Sequence, residues 1–344
     1  MSDQRPPFLA TADQVERCRT IVAEIDALAR QTGGYEAQRS WLNDAATGPV
    51  FDPSHPLSTA DITPEFLAAV PVRSMIFSGA SLEGTEMNAA GHVIWSLLKH
   101  VSPVAGAKIV DRWWHHLTSS DRYRGLPLAI ADLLAAERMR RLRAFLRPPA
   151  SFDGTTHDRM AVTERLSALE AAGMIQPLRN KHSPIVLEIG AGYGALALAL
   201  RNVLPQATYV IVDLPETLKL SACYLMTRQD APVVMVPPSA LLPKEPSFML
   251  CLATALDRLE GLPIDLAINT LSFGEMAPNE VSRYASFLHR ILAPGGALFE
   301  QNFDNSHVGS PNFSNPTAVL AQHFNRHTPV PGMYIKGRPR VWWA

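Results

Sequence analysis

The chain has 344 residues, of which 47% are hydrophobic and 18% charged, with a net charge of −1 at pH 7. That balance supplies a sizeable core and excludes global disorder, and the near-neutral charge provides no basic surface for DNA or RNA. The length accommodates two domains. Cys18, Cys223 and Cys251 are far apart and match no metal-ligand spacing, so they read as reduced thiols of a cytoplasmic protein. The segment from Met1 to Pro7 lacks a signal-peptide pattern, and no apolar run is long enough to cross a membrane, so no membrane partner is expected.

In chain order, Thr11 or Asp13 can cap a helix running to about residue 30. Its apolar face carries Val15, Cys18, Ile21, Val22, Ile25 and Leu28, which suits docking or a homodimer contact. Residues 43–72 are broken by Pro49, Pro53, Pro56, Pro64 and Pro71. Helices are expected at 87–100, 108–118 and 128–146, giving an α-helical N-terminal domain over residues 1–150. Arg138, Arg140, Arg141, Arg143 and Arg147 end the last of them and read as a solvated face near a helix C-terminus. Pro148 and Pro149 mark the boundary to a second domain, 151–344, entered through a helix at 159–172. Strands are then expected at 185–189, 208–212, 232–236, 264–269 and 296–301. Helices are expected at 194–203, 215–228, 248–258 and 278–292. This alternation means an α/β domain, a parallel sheet with helices on both faces. The stretch 333–343 fits an antiparallel edge hairpin.

The first strand runs into Gly190-Ala191-Gly192-Tyr193-Gly194, a turn at which the backbone can approach a ligand closely. Glu188 stands out as a carboxylate inside a buried apolar strand. Gly190, Gly192 and Ala195 also satisfy the loose dinucleotide fingerprint of NAD enzymes, and Asp213 at the end of the next strand could hold ribose hydroxyls in either case. The acid before the first glycine, Gly194 as third glycine, the position in the second half of the chain, and the Pro294-Gly295-Gly296 turn before another strand favour S-adenosylmethionine (SAM) over NAD. This arrangement resembles class I methyltransferases. The resemblance implies a Rossmann-like domain with a seven-stranded, mostly parallel sheet, and SAM as cofactor with S-adenosylhomocysteine as product.

Ligands of such sheets sit at the carboxyl ends of the strands. Those ends offer Glu188, Gly190, Gly192, Tyr193 and Gly194, then Asp213 and Leu214, then Ser239 for adenine, then Asn269 and Thr270. Ser272 and Asn302 would face the acceptor. The segments Asp213–Thr217 with Tyr224, Asn269–Met276 with Tyr284, and Phe299–Asn302 resemble the sugar O-methyltransferase family over residues 185–305. The resemblance implies a small hydroxylated acceptor, a sugar or sugar-containing molecule. An alcohol needs a base as it attacks. Glu275 is the first candidate and His307 the second, each with a structural role as the plainer alternative. His115 and His116 beside Trp113 and Trp114, and His157 and Arg159 on the bridging helix, are further acceptor candidates. No metal is expected, because one Asp304 and one His307 do not make a site. The alternatives are a natural-product N- or O-methyltransferase with a non-sugar acceptor, an NAD-dependent oxidoreductase, and a non-catalytic scaffold of the same fold.

Overall fold

The computed structural model describes residues 10–37, 56–68, 70, 154–238, 242–306, 313–331 and 337–344, without the side chains of 154–161 and 163. The helices expected at 87–100, 108–118 and 128–146, the arginine cluster and the boundary at 150 lie outside the described residues.

Eight strands form one sheet in the order β3-β4-β2-β1-β5-β6-β8-β7. They are β1 (Ile185–Ile189), β2 (Thr208–Asp213), β3 (Val233–Met235), β4 (Phe248–Leu252), β5 (Ile264–Thr270), β6 (Leu292–Gln301), β7 (Arg326–Pro329) and β8 (Arg340–Trp343). The pairings from β3 through to β6 are parallel, whereas β8 runs antiparallel to both β6 and β7. The fold is thus α/β and Rossmann-like with a mostly parallel sheet, and the expected antiparallel edge is present. The central strands are buried along almost their whole length because helices cover both faces. These helices are α2 (Gly154–Ala171), α3 (Ile175–Arg179), α4 (Ala195–Val203), α5 (Pro215–Arg228), α6 (Pro278–Ile291) and the short α7 (Pro316–Leu320).

Two expectations need correction. The sheet has eight strands rather than seven, and residues 248–252 are a strand rather than the start of a helix. Phe-Met-Leu-Cys-Leu is apolar at every position, so its period cannot separate a helix from a fully buried strand. Tertiary pairing decides: β4 is inserted between β2 and β3, with Val210 opposite Met249. A 3-10 turn, Leu256–Leu259, follows it.

The N-terminal helix α1 (Ala12–Thr32) forms as read, with a Thr11–Gln14 capping box and Gly33 as its left-handed stop. It does not stand apart from the sheet unit. Its apolar face is buried against α5 and shares one continuous core with the strands, which favours docking over the alternative of a free dimer face. Each fully buried Ile or Leu on that face contributes about 1.5–3 kcal/mol. A polar knot sits in the same seam. The Lys219 ammonium, fully buried, lies 2.6 Å from Asp26 and from Glu216, and donates to Tyr35 Oη (2.8 Å) and Leu57 O (2.6 Å). Burial alone would pull its pKa down, but the facing carboxylates and phenol outweigh this and raise it, so the cation persists. No helix among the described residues is long and apolar enough to cross a membrane.

Candidate functional site

The strand order reverses between β1 and β5, and their carboxyl ends open side by side there. This is where open α/β sheets bind ligands. Gly190, Gly192 and Gly194 all adopt positive φ, at 73°, 59° and 88°. The turn is pinned at its start by Gly190 N–H donating to Val212 O (2.9 Å) and ends as the cap of α4. A Cβ at Gly192 would meet nothing within 4 Å, so the loop's crown faces open space.

Asp213 braces the loop from β2. Its carboxylate accepts from Gly192 N–H (3.2 Å) and Leu214 N–H (2.8 Å). Burial pushes its pKa up to about 7, against the backbone donors of Leu214, Gly192 and Ala191, and the nearby Glu188 charge adds to the rise. A carboxylate so placed has lone pairs for two more donors, and a vicinal diol supplies them. The glycine crown and Asp213 therefore fit the ribose and amino-acid ends of a nucleoside cofactor. Tyr193 stands on the loop with its ring edge-on to Tyr224, 4.8 Å between centroids.

Glu188 is placed differently from the other loop residues. It is buried and accepts from Tyr209 Oη at 2.7 Å. Burial raises its pKa to about 7, opposed by Tyr209 and Arg165. The carboxylate is thus anchored to the neighbouring strand β2 through Tyr209. An acid whose folded pKa exceeds its unfolded value of 4.5 stabilises the fold fully below that value and loses the contribution as pH rises through 7. The difference amounts to about 3 kcal/mol at most. The thermal midpoint of the ligand-free chain is therefore expected to fall between pH 5 and pH 8. Glu188→Gln keeps an acceptor for Tyr209 and should remove Glu188's share of that slope, leaving Asp213's. An unchanged slope by calorimetric melting would sink this assignment.

The β5 and β6 ends are locked by amides. Asn269 Nδ2 donates to Ile189 O (3.0 Å) and Ser272 Oγ (2.6 Å), while Asn269 Oδ1 accepts from Phe273 N–H and from Asn302 Nδ2 (2.9 Å). Asn302 Nδ2 also donates to Glu300 Oε1 (3.0 Å), and Asn302 Oδ1 accepts from Gly274 N–H (3.3 Å). The side-chain donors of Asn269 and Asn302 are thus engaged within the protein, where they shape the loop. Ser272 Oγ is likewise turned inward, onto Ile189 O (3.3 Å). Thr270 is buried at the end of β5. Leu271, next in line, has φ 71° and is the one non-glycine residue with positive φ among the described residues. Such a conformation costs about 1–3 kcal/mol and clusters at functional sites. Glu275 closes the following 3-10 turn, Ser272–Glu275, and is half-buried. The helix after it is capped at Ala277, not at Glu275.

Several expected residues lie outside what the structure describes: Ser239, His115, His116 and His307, together with the side chains of His157 and Arg159 on α2. Because β4 separates β3 from β2, the strand end beside Asp213 leads into Ala253 and Thr254. Sequence reasoning missed Leu271, Thr254, Tyr209 and Lys219. Only Tyr209 carried a signal, as a polar ring on the strand beside Glu188.

No protein-family model matches the sequence, and no curated protein matches it. Among solved structures, the chain is similar to phosphoethanolamine N-methyltransferase 2 from Haemonchus contortus, in complex with SAM. The two are 14% identical over 47% of this chain and 37% of that one, with a TM-score of 0.35. A cyclopropane synthase from Mycobacterium tuberculosis is 13% identical, over 46% of this chain and 63% of that one, with a TM-score of 0.32. A probable spermidine synthase from Corynebacterium glutamicum is 17% identical, over 52% and 62%, with a TM-score of 0.35. The chain thus spans less than two thirds of each of these proteins. Likenesses this slight carry no functional weight, so function has to be read from the chain's own residues.

Proposed function

We propose that the chain is a SAM-dependent methyltransferase acting on a hydroxyl of a sugar or sugar-containing small molecule. The observation that carries the cofactor is the half-platform at the switch point. A dinucleotide fold needs two mononucleotide-binding halves of parallel strands. Beyond β5 and β6 this sheet turns antiparallel at β8 and β7, so the second half is incomplete. Gly190–Gly194 and Asp213 remain as a complete first half, suited to one nucleoside. That disfavours the NAD reading. The acceptor class rests on the resemblance of residues 185–305 to the sugar O-methyltransferase family.

When bound, SAM supplies a methyl group on a sulfonium leaving group, so the protein's task is alignment and proton removal. The glycine crown and the N-terminus of α4 would receive the amino-acid end, and Asp213 the ribose diol. The loop 270–275, held by Asn269, Asn302 and Ser272, would border the acceptor. Glu275 at its end would take the hydroxyl proton, with His307 as the second candidate. Direct calorimetric titration tests the proposal. Micromolar affinity for SAM and S-adenosylhomocysteine with no heat from NAD is expected, followed by mass gain of one methyl on a sugar acceptor. NAD binding without SAM binding overturns it. Methylation only of an amine moves the chain to the N-methyltransferase alternative, and SAM binding without turnover on any acceptor moves it to the scaffold.

A further inference from the structure

We infer that the last turn of α1 is a wall of the cofactor pocket, closing its adenine end, with the buried Lys219 ammonium as the latch that holds it there. The inference rests on the methyltransferase reading. Thr32 Oγ1, in that last turn, lies 2.8 Å from Thr254 Oγ1. Thr254 belongs to the turn leaving β4, which is tied to β2 by Ala253 N–H donating to Asp213 O (3.0 Å). Just beyond α1, a Cβ at Gly34 would stand 3.1 Å from Pro215 Cγ, so Gly34 rests on the start of α5, two residues past the end of β2. The end of α1 therefore touches the carboxyl ends of both strands on the far side of Asp213 from the glycine loop. A nucleoside whose ribose sits on Asp213 projects its base toward that corner. Thr254 is exposed and Thr32 half-buried, so both hydroxyls sit at a reachable rim.

The latch fixes where the helix sits on α5. Apolar burial is non-directional and would tolerate a shift of α1 along α5. Lys219, buried between Asp26 of α1 and Glu216 of α5, and touching Tyr35 and Leu57 as well, is satisfied at one register only. Glu216 also accepts from Leu57 N–H (2.8 Å), drawing a second N-terminal segment into the same knot. Lys219 thus acts as a positioning residue through α1, and Thr32 as the contact.

The test is SAM titration of the full chain carrying Thr32→Trp, beside Gln31→Trp at the exposed neighbouring position. An indole at position 32 fills the corner. The expected result is a Kd raised about tenfold or more, with an unchanged thermal midpoint, while Gln31→Trp binds as wild type. Thr254→Trp, filling the same corner from β4, should behave like Thr32→Trp. If wild type binds SAM and both Thr32→Trp and Thr254→Trp bind it equally well, the wall is not there. If wild type itself binds no SAM, the cofactor reading falls and the wall with it.

Discussion

Asp213→Ala is expected to weaken SAM binding by a factor on the order of 100 or more while the chain stays folded. The carboxylate has two jobs. It accepts from Gly192 and Leu214 N–H, fixing the glycine crown, and it would accept the two ribose hydroxyls. A hydrogen bond to a charged group contributes about 1.5–3 kcal/mol, so losing two costs about two to four orders of magnitude in affinity. The pKa of about 7 adds a pH signature. Ribose donors favour the ionised form, so affinity should weaken as pH falls below 7, by up to about tenfold per unit. Asp213→Asn keeps one acceptor and cannot ionise. It should bind with intermediate affinity and no such pH dependence. Titrations at pH 6 and pH 8 on wild type and both variants check this, and an Asp213→Ala chain that binds like wild type would remove the residue from the site.

What the sequence reveals and what it hides follow one physical line. The glycine loop and Asp213 are legible because each is a local pattern: a strand, a turn that only glycine tolerates, and an acid at the next strand's end. The capped α1 is legible for the same reason. β4 is not, because a five-residue run without a polar position has no period to read. Its insertion beside β2 puts the turn at Thr254, rather than the end of β3, next to the end of β2. Glu188 is conspicuous in the sequence, yet its partner depends on strand pairing. Glu188 sits opposite Ile211 and one step diagonal from Tyr209 on the same sheet face, which only the β1–β2 register fixes. Asn269 and Asn302 read as ligand contacts because polar residues at strand ends usually are. That the adjacency of β5 and β6 also lets them bond each other is set by strand pairing, not by either residue's local sequence. Lys219 goes unnoticed, since nothing in α5 reports that Asp26 and Tyr35 will cover it. Leu271 gives no warning at all, because its unusual backbone is imposed by neighbours rather than chosen by its side chain.

Gly190→Ala should be strongly damaging, and Gly192→Ala, two residues on, the informative contrast. At Gly190 a Cβ would fall 2.2 Å from Ser272 Oγ and 2.5 Å from Ser272 Cβ. Ser272 has little room to retreat, because its hydroxyl is held by Asn269 Nδ2 and by Ile189 O. Positive φ adds about 1–2 kcal/mol for a residue with a Cβ. Together with displaced packing, a loss on the order of 3 kcal/mol is expected, read as a lower thermal midpoint and denaturant midpoint. At Gly192 the methyl meets nothing, so only the φ penalty applies and stability should fall by about 1 kcal/mol. If the open side of the crown is where the cofactor lies, Gly192→Ala should lose SAM affinity out of proportion to that small change. Ser272→Gly removes both atoms that clash with the new methyl, so it should restore part of the stability lost in Gly190→Ala. The double-mutant cycle reads that coupling directly. Strict additivity of the two changes would show that Gly190 and Ser272 do not press on each other, and the junction between the glycine loop and the β5 end would need another explanation.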